Sequence, residues 1–138
     1  MTIRGEFARF GVAGAIGFAV DSGVLSLCVH VFGWDPYSAR ALSFLAAATT
    51  TWLVNRRFTF QDQTPRHGLP VQYLRYLLGA LTGGSVNYAT YAILVYSSDW
   101  MREHLIIAVA FGSLAGMAVN FSVAKWWVFH RAKQNGVE

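Results

Sequence analysis

The chain has 138 residues, of which 54% are hydrophobic and only 13% are charged, and its mean hydropathy is +0.37. Because soluble domains carry about 25% charged residues, this composition excludes disorder and argues against a water-soluble globule. The single cysteine excludes a disulfide framework, and the four histidines never fall at the spacing of metal ligands. The net charge of +4 comes from basic residues at the ends of apolar runs, not from a stripe that would bind nucleic acid.

Four apolar segments follow one another along the chain, and we predict that each crosses a membrane as a helix. About 20 mostly apolar residues span the roughly 30 Å hydrocarbon core of a bilayer, and the four segments cover residues 10–32, 37–54, 71–97 and 105–128. The first is too long for a secretory signal peptide, and further spans follow it. Turn residues at 33–36 and 97–100, a linker at 61–70 and a polar tail at 130–138 complete the chain. The predicted fold class is an all-α integral membrane protein with one domain over residues 1–138.

The distribution of lysine and arginine predicts which ends of the spans face the cytoplasm. Nine of these residues precede the first span, lie between the second and third, or end the fourth, and only Arg40 and Arg102 lie at the opposite ends. Because Lys and Arg stay preferentially on the cytoplasmic side, we expect both termini and the linker to be cytoplasmic. Aromatic residues predict the same interfaces. Trp34 and Trp100 mark the outer one, and the cytoplasmic one is marked by Phe58, Phe60, Trp126, Trp127 and Phe129.

The two halves of the chain resemble each other. A shift of 66 residues lays Asp21 on Asn87, and beyond the outer loops a shift of 69 lays Arg56 on Lys125. Each half contains two spans, so the halves point the same way in the membrane and form two helical hairpins as a parallel repeat. The halves cover residues 7–60 and 73–129.

Small residues recur at every fourth position of each span and lead to a polar side chain on the same helix face. Such faces pack membrane helices closely, but the charge of Asp21 needs a further explanation. At 1.5 Å per residue, Asp21 lies about 18 Å from Arg9, near mid-membrane, where carboxylates face a bundle interior and mark pathways. The alternative is a protonated Asp21 that pairs with Asn87. We predict a polar groove formed by Asp21, Thr51, Asn55, Asn87 and Asn120.

Two basic clusters at the cytoplasmic ends of the second and fourth spans are candidate phosphate-binding groups. They are Arg56 with Arg57, and Lys125. Arginine binds phosphate through two parallel hydrogen bonds, and neighbouring aromatic rings are flat surfaces of the kind on which sugars stack. Ordinary anchoring of the chain at the interface is the alternative. No nucleophile–base pair, phosphate-binding glycine loop or metal-ligand set is present in the sequence, so we expect no enzymatic activity, no metal and no cofactor.

These features resemble the GtrA-like family of small four-span membrane proteins. The resemblance covers about residues 7–129, and its most specific parts are the basic and aromatic endings at 55–60 and 120–129. It implies a multi-pass protein of the bacterial inner membrane that acts in cell-surface polysaccharide synthesis or glycosylation. It also implies flipping of a polyprenyl-phosphate-linked monosaccharide from the cytoplasmic to the outer leaflet. The motif positions are occupied by Asp21, Asn55, Arg56, Arg57, Asn120 and Lys125.

The mechanism expected from these residues starts with capture of the lipid phosphodiester by Arg56, Arg57 and Lys125. The sugar then enters the polar groove while the polyprenyl chain stays in lipid. Because four thin helices leave little interior space, we expect a homodimer or a complex with a partner glycosyltransferase. Two alternatives remain open: a non-transporting scaffold for a glycosyltransferase, and a small multidrug-type proton-coupled transporter that depends on Asp21.

Overall fold

The computed structural model describes residues 2–63 and 67–129, and every regular element in these ranges is helical. The predicted tail at 130–138 and residues 64–66 of the predicted linker lie outside the described residues. The helices are α1 (Ile3–Ser26), α2 (Pro36–Val54), α3 (Leu69–Ser97), α4 (Asp99–Glu103) and α5 (Leu105–Val123). Three π turns continue α1, α2 and α5 without a break, and they cover Leu27–Val31, Asn55–Thr59 and Ala124–Val128. The prediction of an all-α fold is confirmed.

Local sequence explains several of the helix ends. The hydroxyl of Thr2 accepts a hydrogen bond of 3.2 Å from the backbone N–H of Gly5, and that of Ser98 accepts one of 3.3 Å from Met101. These are N-terminal caps of α1 and α4. Gly33 has a φ of 67° in the predicted turn between α1 and α2, a conformation that glycine adopts without steric cost. The short helix α4 fills the predicted outer turn of the second half and was not predicted, because five residues are too few to produce a hydropathy signal.

The three π turns are the largest departure from the predicted helices. In each turn a phenylalanine N–H donates to the carbonyl five residues earlier. The pairs are Phe32 to Leu27 at 3.2 Å, Phe60 to Asn55 at 2.8 Å and Phe129 to Ala124 at 2.8 Å. A π turn is wider than an α turn and often lies at a functional site. The last two carry the predicted basic clusters.

The first compact unit, Met1–Thr64, consists of α1, α2 and their π turns. Gly17 of α1 lies so close to Thr51 of α2 that a Cβ atom at the glycine would overlap the threonine methyl group. The rings of Phe10 and Phe60 meet edge to face with their centroids 6.4 Å apart. Residues early in α1 therefore contact residues late in α2, so the two helices run in opposite directions.

The second compact unit, Pro65–Glu138, contains α3, α4 and α5. Here Gly83 of α3 receives the side chain of Asn120 of α5, which a Cβ atom at the glycine would overlap. The rings of Tyr76 and Phe129 meet edge to face at 6.1 Å. These contacts occupy positions that the shifts of 66 and 69 residues relate to those of the first unit, so each unit repeats the same internal packing.

Within residues 2–63 and 67–129, two helical segments are long and apolar enough to cross a membrane. They are Ile3–Val31 and Ile106–Val128, and within them an 18-residue window has a mean hydropathy of 1.8 and 1.9, respectively. Large apolar side chains project outward from both, among them Phe18 and Phe111. A helix that is apolar around its whole circumference needs an apolar environment on every side, which a bilayer provides.

Candidate functional site

A recess of about 540 Å³ lies at the end of α2 in the first unit, lined by Leu53, Arg56, Arg57 and Gln61. Among the described residues, neither arginine forms an ion pair with a carboxylate. The guanidinium of Arg56 lies over the ring of Trp52, 5.9 Å from its centroid, which is cation–π geometry. The recess thus combines an apolar wall, an amide and two positive charges, and this is the chemistry of an anion-binding site.

Buried contacts hold the second π turn, which carries both arginines. The hydroxyl of Thr59 donates to Oδ1 of Asn55 at 2.8 Å, and both residues are buried. From α1, Nη1 of Arg9 donates to the backbone carbonyl of Phe58 at 2.9 Å. Because satisfied buried polar contacts rigidify their surroundings, these bonds fix the backbone from which the two arginine side chains start.

The third π turn, Ala124–Val128, carries the predicted phosphate ligand Lys125. Its first and last residues are buried and apolar, so this turn has no side-chain hydrogen bond equivalent to that of the second π turn. Trp126 stands where the first half has Arg57, so the turn has one basic residue instead of two. The two basic clusters are therefore built differently. They belong to different compact units, and their joint action on one phosphate stays a prediction.

An arginine from the preceding long helix contacts the π turn in each unit. Nη1 of Arg75 donates to the backbone carbonyl of Trp127 at 3.3 Å. The guanidinium of Arg75 lies 5.0 Å from the centroid of the Trp127 indole ring. This matches the contact of Arg9 in the first unit. This contact serves the packing of each unit and not anion binding, because it is present both in the first unit, which has Arg56 and Arg57, and in the second, which has no such pair.

Asp21 has a partner that the sequence analysis did not assign to it. Nη1 of Arg40 donates to Oδ2 of Asp21, and the two side chains form an ion pair. The expectation of a lone carboxylate is corrected by this contact, whereas a pairing with Asn87, which belongs to the other compact unit, stays a prediction. The reason for the contact is the antiparallel packing of α1 and α2, which sets Asp21 level with the start of α2. Oδ1 of Asp21 is buried and accepts no hydrogen bond from the described residues.

Thr51 contributes its methyl group, not its hydroxyl, to the space between α1 and α2. The hydroxyl donates to the carbonyl of Ala48 in its own helix at 3.0 Å, while the methyl group packs on Gly17. Thr51 therefore packs the helices together. Asn55 is engaged with Thr59, as described above.

The two predicted groove asparagines of the second unit lie one turn apart along the contact of α3 with α5. Asn120 packs on Gly83, and Asn87 packs on Gly112 and Gly116. Oδ1 of Asn120 is buried and has no hydrogen-bond partner among the described residues. The second unit thus brings these two predicted residues together, and it leaves one amide oxygen available to a donor.

The five predicted interfacial aromatic residues divide into two groups. Phe58, Trp126 and Trp127 are exposed, whereas Phe60 and Phe129 are only 2% exposed. The last two pack on Phe10 and Tyr76 inside their units, as described above. Neighbouring residues of a helix point in different directions. Each π turn and the phenylalanine after it therefore place some rings on the surface and others inside the unit.

Two buried polar residues near the beginnings of α1 and α3, Glu6 and Gln72, were missed by the sequence analysis. They are related by the same shift of 66 residues that relates Asp21 to Asn87. The repeat was therefore a signal that could have identified them. Arg40 carried no such signal, because its counterpart in the second half is Val109.

Comparison with known proteins gives one family match. Residues 9–129 match the family model described as GtrA/DPMS, transmembrane domain. The match begins at Arg9, which contacts the second π turn, and ends at Phe129, the buried residue that follows the third π turn. It therefore covers both compact units, and together with the apolar helices it identifies a membrane protein.

Proposed function

The chain belongs to the GtrA/DPMS transmembrane-domain family, and on that premise we propose that it flips a polyprenyl-phosphate-linked monosaccharide from the cytoplasmic to the outer leaflet. Family membership indicates a membrane protein of glycosylation or polysaccharide pathways. The observation that carries the proposal is the recess at the end of α2, where Arg56 and Arg57 have no carboxylate partner among the described residues.

The lining of the recess fits a lipid phosphodiester better than a free polar anion. The single negative charge of the phosphodiester meets two guanidinium groups, each of which presents paired N–H donors to phosphate oxygens. Leu53 gives the same recess an apolar wall, and Phe58 next to it is exposed. A ligand with a charged head and an apolar tail therefore satisfies every side of the recess.

We propose four membrane spans with both termini on the cytoplasmic side of the bacterial inner membrane. Even α2, with 19 residues, is about 28 Å long at 1.5 Å per residue, and its π turn adds to that length. The excess of Lys and Arg at one set of helix ends favours this orientation. The recess then opens at the leaflet in which the lipid-linked sugar is made.

Within this arrangement the sugar hydroxyls follow what remains of the predicted groove, because Thr51 and Asn55 are engaged inside the first unit, while the polyprenyl chain stays in lipid. The buried acceptor oxygens of Asp21 and Asn120 that lack a partner among the described residues are the groups to which sugar hydroxyls would donate. Each unit is built on one pair of long helices with little internal space, so we propose that a second copy of the chain or a partner glycosyltransferase completes the path.

The ion pair of Asp21 disfavours the alternative of a proton-coupled multidrug transporter. In such a transporter the carboxylate itself exchanges protons for the cationic substrate. Here Arg40 already neutralises the charge of Asp21, so a cationic substrate would have to displace a guanidinium from it. The contact is better suited to a protein whose substrate is an anion.

A vesicle assay tests the proposal. Protein is reconstituted with farnesyl-phosphate glucose or farnesyl-phosphate mannose, and accessibility of the sugar to an enzyme outside the vesicle is followed over time. Wild type is expected to accelerate accessibility, and Arg56→Ala to slow it about tenfold or more, because a hydrogen bond to a charged group contributes about 1.5 to 3 kcal/mol.

Arg4→Ala is the matched control, since it removes the same charge at the same set of helix ends from an exposed residue outside the recess. Equal rates for wild type and Arg56→Ala would refute the assignment of the recess. No acceleration by wild type with either sugar would favour a scaffold that recruits a glycosyltransferase.

A further inference from the structure

The ion pair between Asp21 and Arg40 leaves most of the arginine available. The Arg40 side chain is 57% exposed, whereas that of Asp21 is 17% exposed. Only Nη1 contacts the carboxylate, although a guanidinium carries five N–H donors. Asp21 is the one described residue with which Arg40 is paired. A second anion can therefore approach this guanidinium from its exposed side.

Comparison of the two halves indicates that packing does not require this pair. In the second half the equivalent positions hold Asn87 and Val109, so both charges are absent together. The second unit nevertheless has the equivalent aromatic pair and the equivalent arginine contact to its π turn. The charges of Asp21 and Arg40 are an addition to a scaffold that also forms without them.

Arg40 lies near the opposite end of α2 from the recess. It is 16 residues before Arg56 in the sequence, which corresponds to about 24 Å along the helix. That length approaches the roughly 30 Å thickness of the hydrocarbon core. One helix therefore carries arginine residues near both of its ends, and the side chain of Arg40 reaches Asp21 on α1.

We propose that Arg40 is a second binding position for the lipid phosphate, at the membrane side opposite the recess, and that Asp21 is the counter-ion that releases the phosphate from it. The inference rests on the proposed function. In the empty protein Asp21 neutralises Arg40, and an arriving phosphodiester first binds the exposed N–H groups of the guanidinium and then draws it away from the carboxylate. Return of the carboxylate then displaces the phosphate, because both anions compete for one guanidinium. A bare arginine would hold the anion longer, since nothing would compete for it.

Arginine modification resolved by peptide tests this inference without a transport assay. Wild-type protein in detergent is treated with phenylglyoxal, with and without farnesyl phosphate, and modification of each arginine is quantified by mass spectrometry. We expect farnesyl phosphate to protect Arg40 as well as Arg56 and Arg57, and inorganic phosphate at the same concentration to protect none of them. Protection of the recess arginines alone would overturn the inference and leave the proposed function standing. Protection of none of the three arginines would overturn both this inference and the proposed function. Equal protection of Arg40 by inorganic phosphate would show that the site does not select a lipid phosphate, and would also overturn the inference.

The Asp21→Asn variant supplies the second arm. If the carboxylate competes with phosphate, its removal should lower the farnesyl phosphate concentration that protects Arg40 by about fivefold, which corresponds to about 1 kcal/mol. Asp99→Asn is the matched control, because Asp99 forms the other described ion pair with an arginine, Arg102, at 3.0 Å. A purely structural pair predicts unchanged or weaker protection of Arg40 in Asp21→Asn, and that result would overturn the inference.

The double variant Asp21→Asn with Arg40→Val reproduces the residues of the second half, so it should fold even where a single variant does not. It should retain protection of Arg56 and Arg57 by farnesyl phosphate while flipping slows about tenfold or more, because the second phosphate position is lost. Wild-type flipping by this double variant would overturn the inference.

Discussion

Gly116 is a position at which the packing of the second unit is sensitive to a single methyl group. A Cβ atom there would lie 2.7 Å from the carbonyl oxygen of Gly83 and 2.8 Å from Cβ of Asn87. Carbon atoms in contact are normally about 3.5 to 4.0 Å apart, and a backbone oxygen cannot rotate away. Alanine at this position therefore forces α3 and α5 apart. Overpacking of this kind costs about 1 to 3 kcal/mol.

Gly84→Ala is the matched control for Gly116→Ala. Nothing lies within 4 Å of a Cβ atom at Gly84, so this variant gains only the higher helix propensity of alanine, about 1 kcal/mol. The same gain applies to Gly116→Ala and cancels in the comparison. We expect Gly116→Ala to be less stable than Gly84→Ala by about 1 to 3 kcal/mol, measured as the free energy of unfolding in mixed detergent and SDS micelles. Equal stabilities would refute the close approach of α3 and α5.

Two further predictions concern the π turn that carries the recess arginines. Thr59→Val keeps the size of the side chain but removes the hydroxyl that donates to Oδ1 of buried Asn55. We expect a loss of about 1 to 3 kcal/mol in the same unfolding measurement, and Thr49→Val at a less buried position should cost less. Arg9→Gln removes the donor to the carbonyl of Phe58, and hydrogen exchange at residues 56–60 should accelerate about tenfold or more, as expected for loss of a charged hydrogen bond. Unchanged exchange would mean that α1 does not hold this turn.

Hydropathy and composition were sufficient to predict an all-helical membrane protein, because both signals are summed over about 20 residues. The helix ends agree closely where a turn residue marks them. Gly33, for example, ends the first helical segment as predicted. The internal repeat was also visible, since it depends on the same kind of long comparison.

Individual contacts were less accessible from the sequence. The partner of Asp21 depends on the register in which α1 and α2 pack, and Arg40 is 19 residues away along the chain. The burial of Phe60 depends on Phe10 at the other end of its unit. The predicted arginine pair does line a recess, but Leu53 and Gln61 complete it through the wide turn, which hydrophobic periodicity does not reveal.

The wide turn at Asn55–Thr59 makes chain length, and not only residue identity, a determinant of the recess. A π turn is equivalent to one extra residue inserted into an α-helix. Deleting one residue there would restore α geometry and change the directions of the side chains inside the turn, including both arginines, since an α-helix sets neighbouring residues about 100° apart. A relative could thus keep both arginines in its sequence and still point them at lipid. When relatives are aligned, a gap at this turn should therefore be as informative about anion binding as a substitution of Arg56 or Arg57.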